Sequence, residues 1–488
     1  MPEQSSDVRV RIAPSPTGAP HVGTAYVAVF NLAFARKHDG DFVLRIEDTD
    51  RERSKQEYEE RIIDGLQWLN LDWDEGPDRG GPCGPYRQSE RLDLYREHAQ
   101  KLLDDDRAYE CFCSEERLEQ VRERQKKEGK QIGYDGHCRS LSDEERQQRK
   151  EDGESFVIRL KAPEKDETTF EDRIRGEISF DNEQLDDQVL LKSDGFPTYH
   201  LANVVDDHHM NISHVMRAEE WISSTAKHIL LYDAFGWEPP VFAHLPLLRN
   251  EDESKISKRE NPVSILWYRE HGYLPDALVN FLSLMGFSMP DESELYSFDR
   301  LVEEFSFDRL RTTGPVFDME KLEWVNGNYI RDLDENTLAE HLVDGGFLDA
   351  TKEEVLPVIP LVQERLKTLD DVHKYADFLF MDDLDWDEEA FLDRCDTLEE
   401  ALEIVKASAD VLAEYDTFSD TDLEDRLRDL AEELDVGLGA MFMTNRVALT
   451  AKTETPPLFP CMDVMGKEAV LQRYEDCAKF LKDSISST

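Results

Sequence analysis

A histidine and a glycine near the N-terminus stand where a phosphate-binding site would need them. In the stretch RIAPSPTGAPHVGTAYVAVFNLAFARK, Arg11–Lys37, the residues Pro20, His21 and Gly23 lie at the start of a helical apolar pattern. A helix N-terminus carries unpaired N–H groups and a positive dipole, and a glycine there lets a charged ligand approach the backbone. His21 can donate to phosphate oxygens as negative charge builds on them. The alternative is a histidine that only caps the helix beside a structural glycine.

A second group of candidate residues lies far along the chain. The segment SKISKRE places Lys255, Lys258 and Arg259 in a short polar loop after HLPLLRNEDE. Flexible lysines can follow the negative charge of a departing pyrophosphate. A solvated basic loop is the alternative, and for a single basic triplet it is the simpler interpretation.

The elements that must position the first group can be read from the sequence pattern. VRVRIAPS alternates small or apolar with basic residues and predicts a strand near residues 8–13, and a second strand is expected near 41–47. Proline lacks an N–H group and fixes φ, so PSPTGAP requires a turn. Apolar residues at helical spacing from Val22 to Ala33 then predict an amphipathic helix, whose first turn suits Pro20. The histidine and the second glycine would lie at its N-terminus.

The composition limits the class of protein. The chain has 488 residues, and 39% of them are hydrophobic, which is enough for buried cores; a chain of this length holds roughly three to five domains. No segment reaches the roughly 18 uninterrupted apolar residues of a membrane helix, and the N-terminus MPEQSSDVRV lacks the apolar core of a signal peptide. The seven cysteines are an odd number and three of them lie close together, which favours reduced thiols or a metal over disulfides. We therefore expect a soluble cytoplasmic protein.

The acidity of the chain needs its own explanation. The 57 basic and 108 acidic residues give a net charge of 57 − 108 = −51, and the acidic residues are spread over the whole length. Nucleic-acid binders are usually basic, because neutralising phosphates releases counterions, so the net charge alone argues against such a partner. Adaptation of the whole surface to a salty cytoplasm is the competing interpretation, which we favour. It leaves room for a nucleic-acid site as a local basic patch within an acidic surface.

Taken together, the two groups resemble the paired signatures of class I aminoacyl-tRNA synthetases. HVGT corresponds to the first signature but differs from its common form at the fourth position, Thr24. KISKR corresponds to the second signature. The resemblance is closest to the bacterial-type glutamyl-tRNA synthetases and covers essentially the whole chain. It rests on RIAPSPTGAPHVGT, RIEDTD (Arg45–Asp50), GPYRQSERL (Gly84–Leu92), YHLANVVDDH (Tyr199–His208), RAEEW (Arg217–Trp221) and NRVALTAKTETPPLF near the C-terminus.

The resemblance implies a fold and a set of domains. The catalytic part would be an α/β Rossmann-like doubly wound domain, interrupted by an α+β insertion that binds the acceptor stem. An all-α C-terminal half would bind the anticodon. The expected bounds are 1–104 and 199–244 for the catalytic domain, 105–198 for the insertion, 245–334 for a stem-contact junction with the KISKR loop, and 335–392 and 393–488 for two helical subdomains.

The resemblance also implies a reaction and its substrates. L-Glutamate and ATP would form glutamyl-adenylate, and the glutamyl group would pass to the 3′-terminal ribose of tRNA(Glu), with activation dependent on tRNA. Mg²⁺ would accompany ATP, held mainly by phosphates and water. Such chemistry rests on positioning and charge stabilisation rather than on a side-chain nucleophile. The protein would act as a monomer, without a membrane partner.

Residues that match positions of the family form a glutamate pocket and an ATP site. Arg11 and Arg217 would bind carboxylates, because a planar guanidinium binds a carboxylate through two N–H groups, and Glu47 would bind the α-ammonium group. The other residues of the glutamate pocket would be Ala13, Ser15, Tyr199, Asn203 and Trp221. The ATP site would comprise His21, Gly23, Thr24, Lys255, Ser257 and Lys258, of which His21, Gly23, Lys255 and Lys258 would be catalytic.

Two neighbouring features are expected to be structural. Arg45 is interpreted as an arginine that pairs with nearby acids rather than with substrate. Asp206–His209 has the composition of a metal site, but adjacent residues of a helix fan outward and do not converge on one ion.

Three cysteines and a tyrosine have the spacing of a metal site. CFC is followed by twenty residues and then YDGHC, which gives Cys-x-Cys-x20-Tyr-x3-Cys. Zinc is four-coordinate and favours thiolates, and some members of the family carry a structural zinc in the part that meets the acceptor end. The expected ligands are Cys111, Cys113, Tyr134 and Cys138, with His137 as an alternative to Tyr134. Three buried thiols without a metal are the other interpretation.

The resemblance leaves other functions to be distinguished. An enzyme that transfers glutamate to a modified tRNA base shares the nucleotide fold and the cysteine pattern, but such chains stop after the catalytic half. A non-catalytic tRNA-binding paralogue would not need intact signatures, and a glutaminyl enzyme fits PSPTG and a helical C-terminus less well. Arg365, in QERLKTL, falls where family members that charge only the glutamate tRNA place an arginine near the anticodon.

Overall fold

The computed structural model describes residues 8–250, 252, 254, 256, 262–381, 383–419 and 421–487 of the chain. It divides into two compact units. Unit 1 comprises Met1–Tyr268 and Pro275–Met319, and unit 2 comprises Arg269–Leu274 and Glu320–Thr488. Within the described ranges, no helix combines the length and the apolar character needed to cross a membrane.

Unit 1 combines helices with nine described strands. The strands are β1 (Arg9–Ile12), β2 (Asp41–Leu44), β3 (Ala108–Cys111), β4 (Val157–Leu160), β5 (Glu167–Asp172), β6 (Gly176–Asp181), β7 (Val189–Leu191), β8 (His214–Ala218) and β9 (Val241–Leu245). The helices up to residue 304 are α1 (Val22–Lys37), α2 (Gln56–Trp68), α3 (Leu92–Asp104), α4 (Glu115–Lys127), α5 (Asp143–Glu151), α6 (Tyr199–His209), α7 (Ile222–Phe235), α8 (Ile265–Glu270), α9 (Pro275–Gly286) and α10 (Phe298–Glu304).

The first strand, turn and helix follow from the residue types, with one difference from the expected pattern. β1 ends at Ile12, and the proline-rich stretch that follows carries the chain to α1. The sequence pattern predicts one apolar face for α1, but the structure buries its residues on all sides, including Asn31. A helix that is apolar all round belongs in the interior of a domain. α1 is therefore a central helix, which fixes the position of its N-terminus.

Parallel strands bring several strand ends to one edge of the sheet. β1 and β2 pair in parallel from Arg9↔Asp41 to Ile12↔Leu44, and β8 and β9 pair in parallel along their whole length. The N–H of Ser213, just before β8, donates to the carbonyl of Arg9 at 2.9 Å and joins the two pairs. The segments that follow all four strands therefore come together, which is where doubly wound folds bind ligands.

Two further sets of strands extend unit 1. β3, β4 and β7 form an antiparallel sheet in the order β3-β4-β7. β5 and β6 form an antiparallel hairpin, and β5 also meets β9 in parallel where Asp172 lies opposite Phe242. The order β6-β5-β9-β8 thus connects the end of β5 directly to the strands that carry the ligand-binding edge.

Among its described residues, unit 2 contains helices joined by loops and no strand. Its helices are α11 (Met319–Asp332), α12 (Glu335–Asp344), α13 (Lys352–Val355), α14 (Ile359–Val362), α15 (Val372–Tyr375), α16 (Glu388–Leu392), α17 (Leu398–Leu412), α18 (Thr421–Glu433), α19 (Leu438–Thr450), α20 (Leu458–Met465) and α21 (Lys467–Ser487). Thr397 caps α17 by accepting from the N–H of Glu400 at 3.2 Å. The buried face of α17 packs with α19 and α21 around Ile404, Met441 and Tyr474.

Candidate active site

A cleft of about 820 Å³ opens at the carboxyl ends of β1, β2, β8 and β9. It is lined by every predicted residue of the glutamate pocket and by the predicted ATP-site residues of the HVGT segment. These residues are Arg11, Ala13, Ser15, His21, Gly23, Thr24, Glu47, Tyr199, Asn203, Arg217 and Trp221. Residues that are up to 210 positions apart in the chain therefore meet at one edge of the sheet.

His21 caps the N-terminus of α1. Its Nδ1 accepts from the N–H of Gly23 at 2.9 Å, and a side chain at Gly23 would come within 3.1 Å of that nitrogen. Because Nδ1 accepts, a neutral ring carries its hydrogen on Nε2, which is a donor suited to a phosphate oxygen. The sequence predicts Pro20 in the first helical turn, but the helix begins at Val22, because the His21 side chain takes the cap position. The capping role and a phosphate-binding role are thus compatible.

The chain that follows the second signature is anchored to the first one. The N–H of Val22 donates to the carbonyl of Val263 at 2.7 Å, and the N–H of Ile265 donates to the carbonyl of Pro20 at 3.0 Å. These two bonds flank an antiparallel bridge between the residues in the middle of each segment. The segment that follows the second signature therefore lies beside the first signature, although more than 200 residues separate them in the sequence.

Most of the second signature lies outside the described residues. This applies to Lys255, Ser257, Lys258 and Arg259. Ile256 is described, lines the cleft, and donates its N–H to the carbonyl of Leu248 at 3.1 Å. The roles of the two lysines and the serine in ATP binding stay predictions.

Arg11 and Arg45 share one buried carboxylate. Arg11 Nε and Nη2 donate to the two carboxylate oxygens of Asp207 at 3.1 and 3.3 Å, and Arg45 Nη1 donates to Asp207 Oδ1 at 2.7 Å. Burial opposes ionisation of Asp207, but Arg11 and Arg45 overcome it and hold the pKa of this carboxyl below its ordinary value. Asp207 is therefore charged, and Arg11 reaches the cleft as an arginine that already has an anionic partner.

Glu47 places a carboxylate at the cleft. Its Oε1 accepts from Arg45 Nη2 and from Asn203 Nδ2, each at 3.1 Å. Within the described part of the chain, no donor reaches its Oε2. Burial raises the pKa of Glu47 above its ordinary value, although Arg45 and Arg11 pull it down. A cationic ligand at this carboxylate would stabilise its charged form.

The acids of α6 point inward, which the sequence pattern did not predict. Asp206 is fully buried and accepts from Gln88 Nε2 at 2.9 Å, from Arg91 Nε at 2.7 Å and from the Tyr95 hydroxyl at 2.8 Å. With Asp207 beside it, this face of α6 neutralises the arginines behind the cleft. For this segment the sequence left a solvated role and a role behind the site both open, and the structure buries both aspartates against arginines, with Asp207 paired to Arg11 of the cleft. The one sequence signal for their burial was that the two adjacent acids directly follow the apolar residues of YHLANVVDDH.

Arg217 is a buried arginine with no carboxylate partner in the part of the chain that the structure describes. Nη1 donates to the Tyr199 hydroxyl at 2.7 Å, Nη2 to Thr225 Oγ1 at 2.7 Å and to the carbonyl of Trp221 at 3.3 Å, and Nε to His244 Nε2 at 3.2 Å. Among the described residues, no carboxylate forms an ion pair with it. Burial lowers the pKa of Arg217, because a cation is unfavourable away from water. An anionic ligand would supply the missing counter-ion.

Comparison with known proteins identifies the family. Residues 7–324 match the model of class I tRNA synthetases (E and Q), catalytic domain, and residues 335–478 match the model of an anticodon binding domain. The chain belongs to the class I tRNA synthetases. The family predicted from the paired signatures is thus confirmed, and so are the α/β catalytic part and the helical C-terminal half.

Similar proteins are glutamate–tRNA ligases. The enzyme of Fusobacterium nucleatum subsp. nucleatum is 48% identical over 496 residues, which cover 97% of each chain. The enzyme of Thermus thermophilus is 48% identical over 473 residues, which cover 96% of this chain and 99% of the relative. A crystal structure of a glutamate tRNA ligase from Elizabethkingia meningosepticum, in complex with its amino acid, superposes with a TM-score of 0.84 at 35% identity, covering 97% of this chain and 99% of the other.

The predicted metal ligands of this class I tRNA synthetase form a compact cluster. The sulfur atoms of Cys111, Cys113 and Cys138 lie within 4.8 Å of one another. The Tyr134 hydroxyl lies 3.3 Å from Cys111 Sγ and 3.7 Å from Cys113 Sγ. Ligand atoms of a tetrahedral zinc site with bonds near 2.3 Å are about 3.8 Å apart, so this arrangement fits zinc. His137 contributes no ring nitrogen to the described cluster.

Within this cluster, a hydrogen bond between Cys138 and Cys111 lowers the pKa of Cys111, so Cys111 is the thiolate, and raises the pKa of Cys138. Arg117 Nη1 donates to Cys113 Sγ at 3.4 Å, and the Arg159 guanidinium lies 3.9 Å from the centre of the Tyr134 ring. A hydrogen bond from Cys138 outweighs burial and lowers the pKa of Cys111 to about 4. Thiolates are the form in which cysteines bind a metal.

Arg365 lies in unit 2 of the synthetase, beside a second arginine. It ends a short 3-10 helix, Gln363–Arg365, and its side chain is exposed. Arg446 is held by a hydrogen bond from Nη1 to Thr455 Oγ1 at 2.5 Å. The pKa of Arg446 is lowered mainly by its burial, against Cys461, and Arg365 lowers it further. Arg365 thus lies within electrostatic range of the half-buried Arg446 and of the acid Glu454.

Proposed function

We propose that this chain is a glutamate–tRNA ligase, which activates L-glutamate with ATP and transfers it to the 3′-terminal ribose of tRNA(Glu). The observation that carries the proposal is the buried Arg217, which has no described carboxylate partner and faces the same cleft as Glu47 and the N-terminus of α1. Two arginines, Arg11 and Arg217, and one carboxylate, Glu47, in one pocket suit an amino acid with an extra carboxylate. The names of the similar proteins support the same activity.

The glutamate site is proposed on the charges of the cleft. Arg217 would take one carboxylate of the substrate, and Arg11 would contribute to the other while it stays paired with Asp207. Glu47 would accept from the α-ammonium group through its Oε2. The pocket would be completed by Ala13, Ser15, Tyr199, Asn203 and Trp221, all of which line the cleft.

The ATP site is proposed at the N-terminus of α1. A carboxylate oxygen of glutamate attacks the α-phosphorus of ATP, the bond to the bridging oxygen breaks, and pyrophosphate leaves. His21 Nε2, the backbone at Gly23 and the side chain of Thr24 would stabilise the phosphates, with Lys255, Ser257 and Lys258 closing over them. Mg²⁺ bound to the phosphates would neutralise part of their charge.

The remaining parts of the chain are assigned to tRNA and to a structural metal. Residues 105–198 would bind the acceptor stem, with zinc held by Cys111, Cys113, Tyr134 and Cys138, and 245–334 would contact the inner corner of the tRNA. The match of residues 335–478 to an anticodon binding domain supports assigning 335–392 and 393–488 to the anticodon. Arg365, exposed beside Arg446, would contact an anticodon base or phosphate. A monomer in the cytoplasm is the state that we expect for this role.

The test is glutamate-dependent ATP–pyrophosphate exchange in high KCl, with and without total tRNA from the source organism. Exchange that requires tRNA is the expected result. Exchange without tRNA would point to an enzyme that modifies a tRNA base, and no exchange from folded protein would point to a non-catalytic tRNA-binding paralogue. Aminoacylation of tRNA(Glu) and tRNA(Gln) transcripts then shows which tRNA is charged.

A further inference from the structure

Arg217 is backed by a histidine and an aspartate that belong to no sequence signature. Arg217 in β8 lies directly opposite His244 in β9, and Asp172 at the end of β5 pairs with the same strand β9. Asp172 lies opposite Phe242, two residues before His244 in β9, and its side chain reaches the His244 ring, so the three side chains are linked across three neighbouring strands. All three are buried, and Asp172 and His244 are at most 1% exposed.

The carboxylate of Asp172 is fixed in orientation. Its Oδ2 lies 2.6 Å from His244 Nδ1. Its Oδ1 accepts from the N–H groups of Ile174 and Arg175, each at 3.0 Å, in the turn that follows β5. Burial opposes ionisation, but His244 and these N–H groups together lower the pKa of Asp172, so it remains a carboxylate.

This carboxylate decides which nitrogen of His244 carries the hydrogen. A carboxylate only accepts, so the hydrogen of His244 is on Nδ1. Burial outweighs Asp172 and lowers the pKa of His244, so the ring is neutral and its Nε2 carries a lone pair. That lone pair faces Arg217 Nε at 3.2 Å and the Thr225 hydroxyl at 3.0 Å, and Thr225 Oγ1 in turn accepts from Arg217 Nη2, so His244 contacts the guanidinium directly and through Thr225. The other tautomer would bring two N–H groups face to face.

The result is an arginine that is held by neutral acceptors only. Four of its five N–H groups are used by His244, Tyr199, Thr225 and the carbonyl of Trp221. The fifth, on Nη1, meets no acceptor among the described residues. The Tyr199 hydroxyl accepts from Nη1, so its own hydrogen also points away from Arg217. Both groups line the cleft and offer donors, which match the oxygens of a carboxylate.

We propose that Asp172 and His244 are positioning residues for glutamate: they hold Arg217 in its carboxylate-binding orientation without placing a carboxylate against it. A direct Arg–Asp pair would hold the guanidinium equally well, but it would neutralise the charge that the substrate needs. Because the neutral ring of His244 lies between Asp172 and Arg217, the guanidinium is held in place while its charge stays available to the substrate. This inference rests on the proposed function, in which the cleft binds glutamate.

The first variant is Asp172→Asn. An amide can donate to His244 Nδ1, which favours the tautomer with a hydrogen on Nε2, facing the N–H of Arg217. We expect the KM for glutamate to rise about ten- to hundredfold, as for other lost hydrogen bonds to a charged group or lost outer partners of a ligand. The KM for ATP should stay unchanged and kcat should change less than about threefold, because Arg217 is still present and the phosphate site is untouched.

The second pair of variants separates positioning from packing. His244→Gln places an amide oxygen near the position of Nε2 and can still accept from Arg217, whereas His244→Asn reaches only the position of Nδ1. We expect His244→Gln to keep a KM for glutamate within about fivefold of wild type and His244→Asn to resemble Asp172→Asn. His98→Gln, at a buried histidine of the same unit outside the cleft, is the matched control and should leave the KM for glutamate unchanged.

The outcomes distinguish the inference from the proposed function. Wild-type protein that lacks tRNA-dependent exchange with glutamate overturns the proposed function and the inference with it. Active wild-type protein, with an unchanged KM for glutamate in Asp172→Asn and His244→Asn, overturns the inference alone. An equal rise in the KM for glutamate in His244→Gln and His244→Asn also overturns the inference, because a loss that does not depend on the acceptor at the Nε2 position would come from altered packing. Thermal unfolding of each variant, with and without glutamate, shows whether the compared proteins are folded.

Discussion

At the scale of single residues, the cleft separates arginines that have an anion from one that has none. Arg11 and Arg45 share the charge of Asp207, at N–O distances of 2.7–3.3 Å. Arg217 has only neutral partners among the described residues. Because an unpaired buried charge is costly, the substrate should gain most from Arg217. The order of importance for glutamate binding is therefore Arg217 before Arg11.

This order predicts the effect of Arg217→Lys. A lysine keeps the charge but has a single ammonium group, which cannot reach Tyr199, Thr225 and His244 together. We expect the KM for glutamate to rise about a hundredfold, measured by tRNA-dependent exchange. Arg36→Lys, at a half-exposed arginine that pairs with Asp74, is the matched control. An unchanged KM in Arg217→Lys would show that charge alone, without the fixed guanidinium, is enough.

The carboxylate of Asp207 predicts a pH-dependent contribution to stability. Its pKa is lowered in the folded state, so its stabilising effect is present above the unfolded pKa of about 3.9 and is lost as the pH falls through the folded value. Asp207→Asn should lower the free energy of unfolding by about 3–5 kcal/mol at pH 7, because two buried arginines lose their anion. Urea unfolding in high KCl from pH 7 to pH 3 measures the difference, which should shrink below about pH 4. A difference that is constant over this range would contradict an ionised Asp207.

At the scale of elements, the N-terminus of α1 combines a cap with a candidate catalytic group. His21→Asn keeps a side-chain acceptor for the N–H of Gly23 but removes Nε2, whereas His21→Ala removes both. We expect thermal stability to be retained in the asparagine variant and to fall by about 1 kcal/mol in the alanine variant. Exchange activity should fall at least about a hundredfold in both, as for the loss of one transition-state donor. Wild-type exchange activity in His21→Asn would show that His21 acts only as the cap of α1.

The cysteine cluster after β3 predicts one zinc ion per chain. Three thiols and the Tyr134 hydroxyl are already spaced for tetrahedral coordination. We expect native mass spectrometry to detect one zinc, and Cys111→Ser to lose it and unfold at a lower temperature. Cys83→Ser, outside the cluster, is the control and should keep the metal. If protein purified without chelators contains no metal, the zinc prediction is wrong and the three cysteines are buried reduced thiols.

The elements differ in how far sequence could predict them. The strand, turn and helix at the N-terminus depend on local features, namely prolines and an apolar period, and these were predicted. The pairing of Arg11 with Asp207 spans 196 positions and that of His244 with Asp172 spans 72, and no local pattern encodes either. Their partners are set by which strands lie side by side in the sheet. For this reason the sequence identified the residues that face the cleft, and Arg45 as an arginine that pairs with acids, but missed Asp172 and His244, which hold Arg217 from behind.

At the scale of the whole molecule, a strongly acidic chain still places basic side chains at its candidate sites, beside acids. The chain carries a net charge of −51, yet arginines line the cleft and a pair of arginines lies in unit 2. Most acids are exposed, as in α5 and along α18, and repel one another in dilute salt. Substrate and tRNA should therefore be attracted locally, while the rest of the surface contributes solubility.

This distribution predicts how the protein responds to salt. The Debye length falls from about 10 Å at 0.1 M to about 3 Å at 1 M, so added KCl removes the repulsion between surface acids but leaves the buried pairs at Asp207 and Asp172 largely intact. We expect the unfolding temperature to rise between 0.1 and 3 M KCl, and exchange activity to persist or rise. Salt also weakens tRNA binding through counterion release, so unfolding without tRNA isolates the effect on the fold.

If stability and activity both fell progressively from about 0.1 M, the acidity would not be an adaptation to salt. A rise in stability with a fall in activity would instead place the salt sensitivity in the tRNA contacts and leave the interpretation of the surface unchanged.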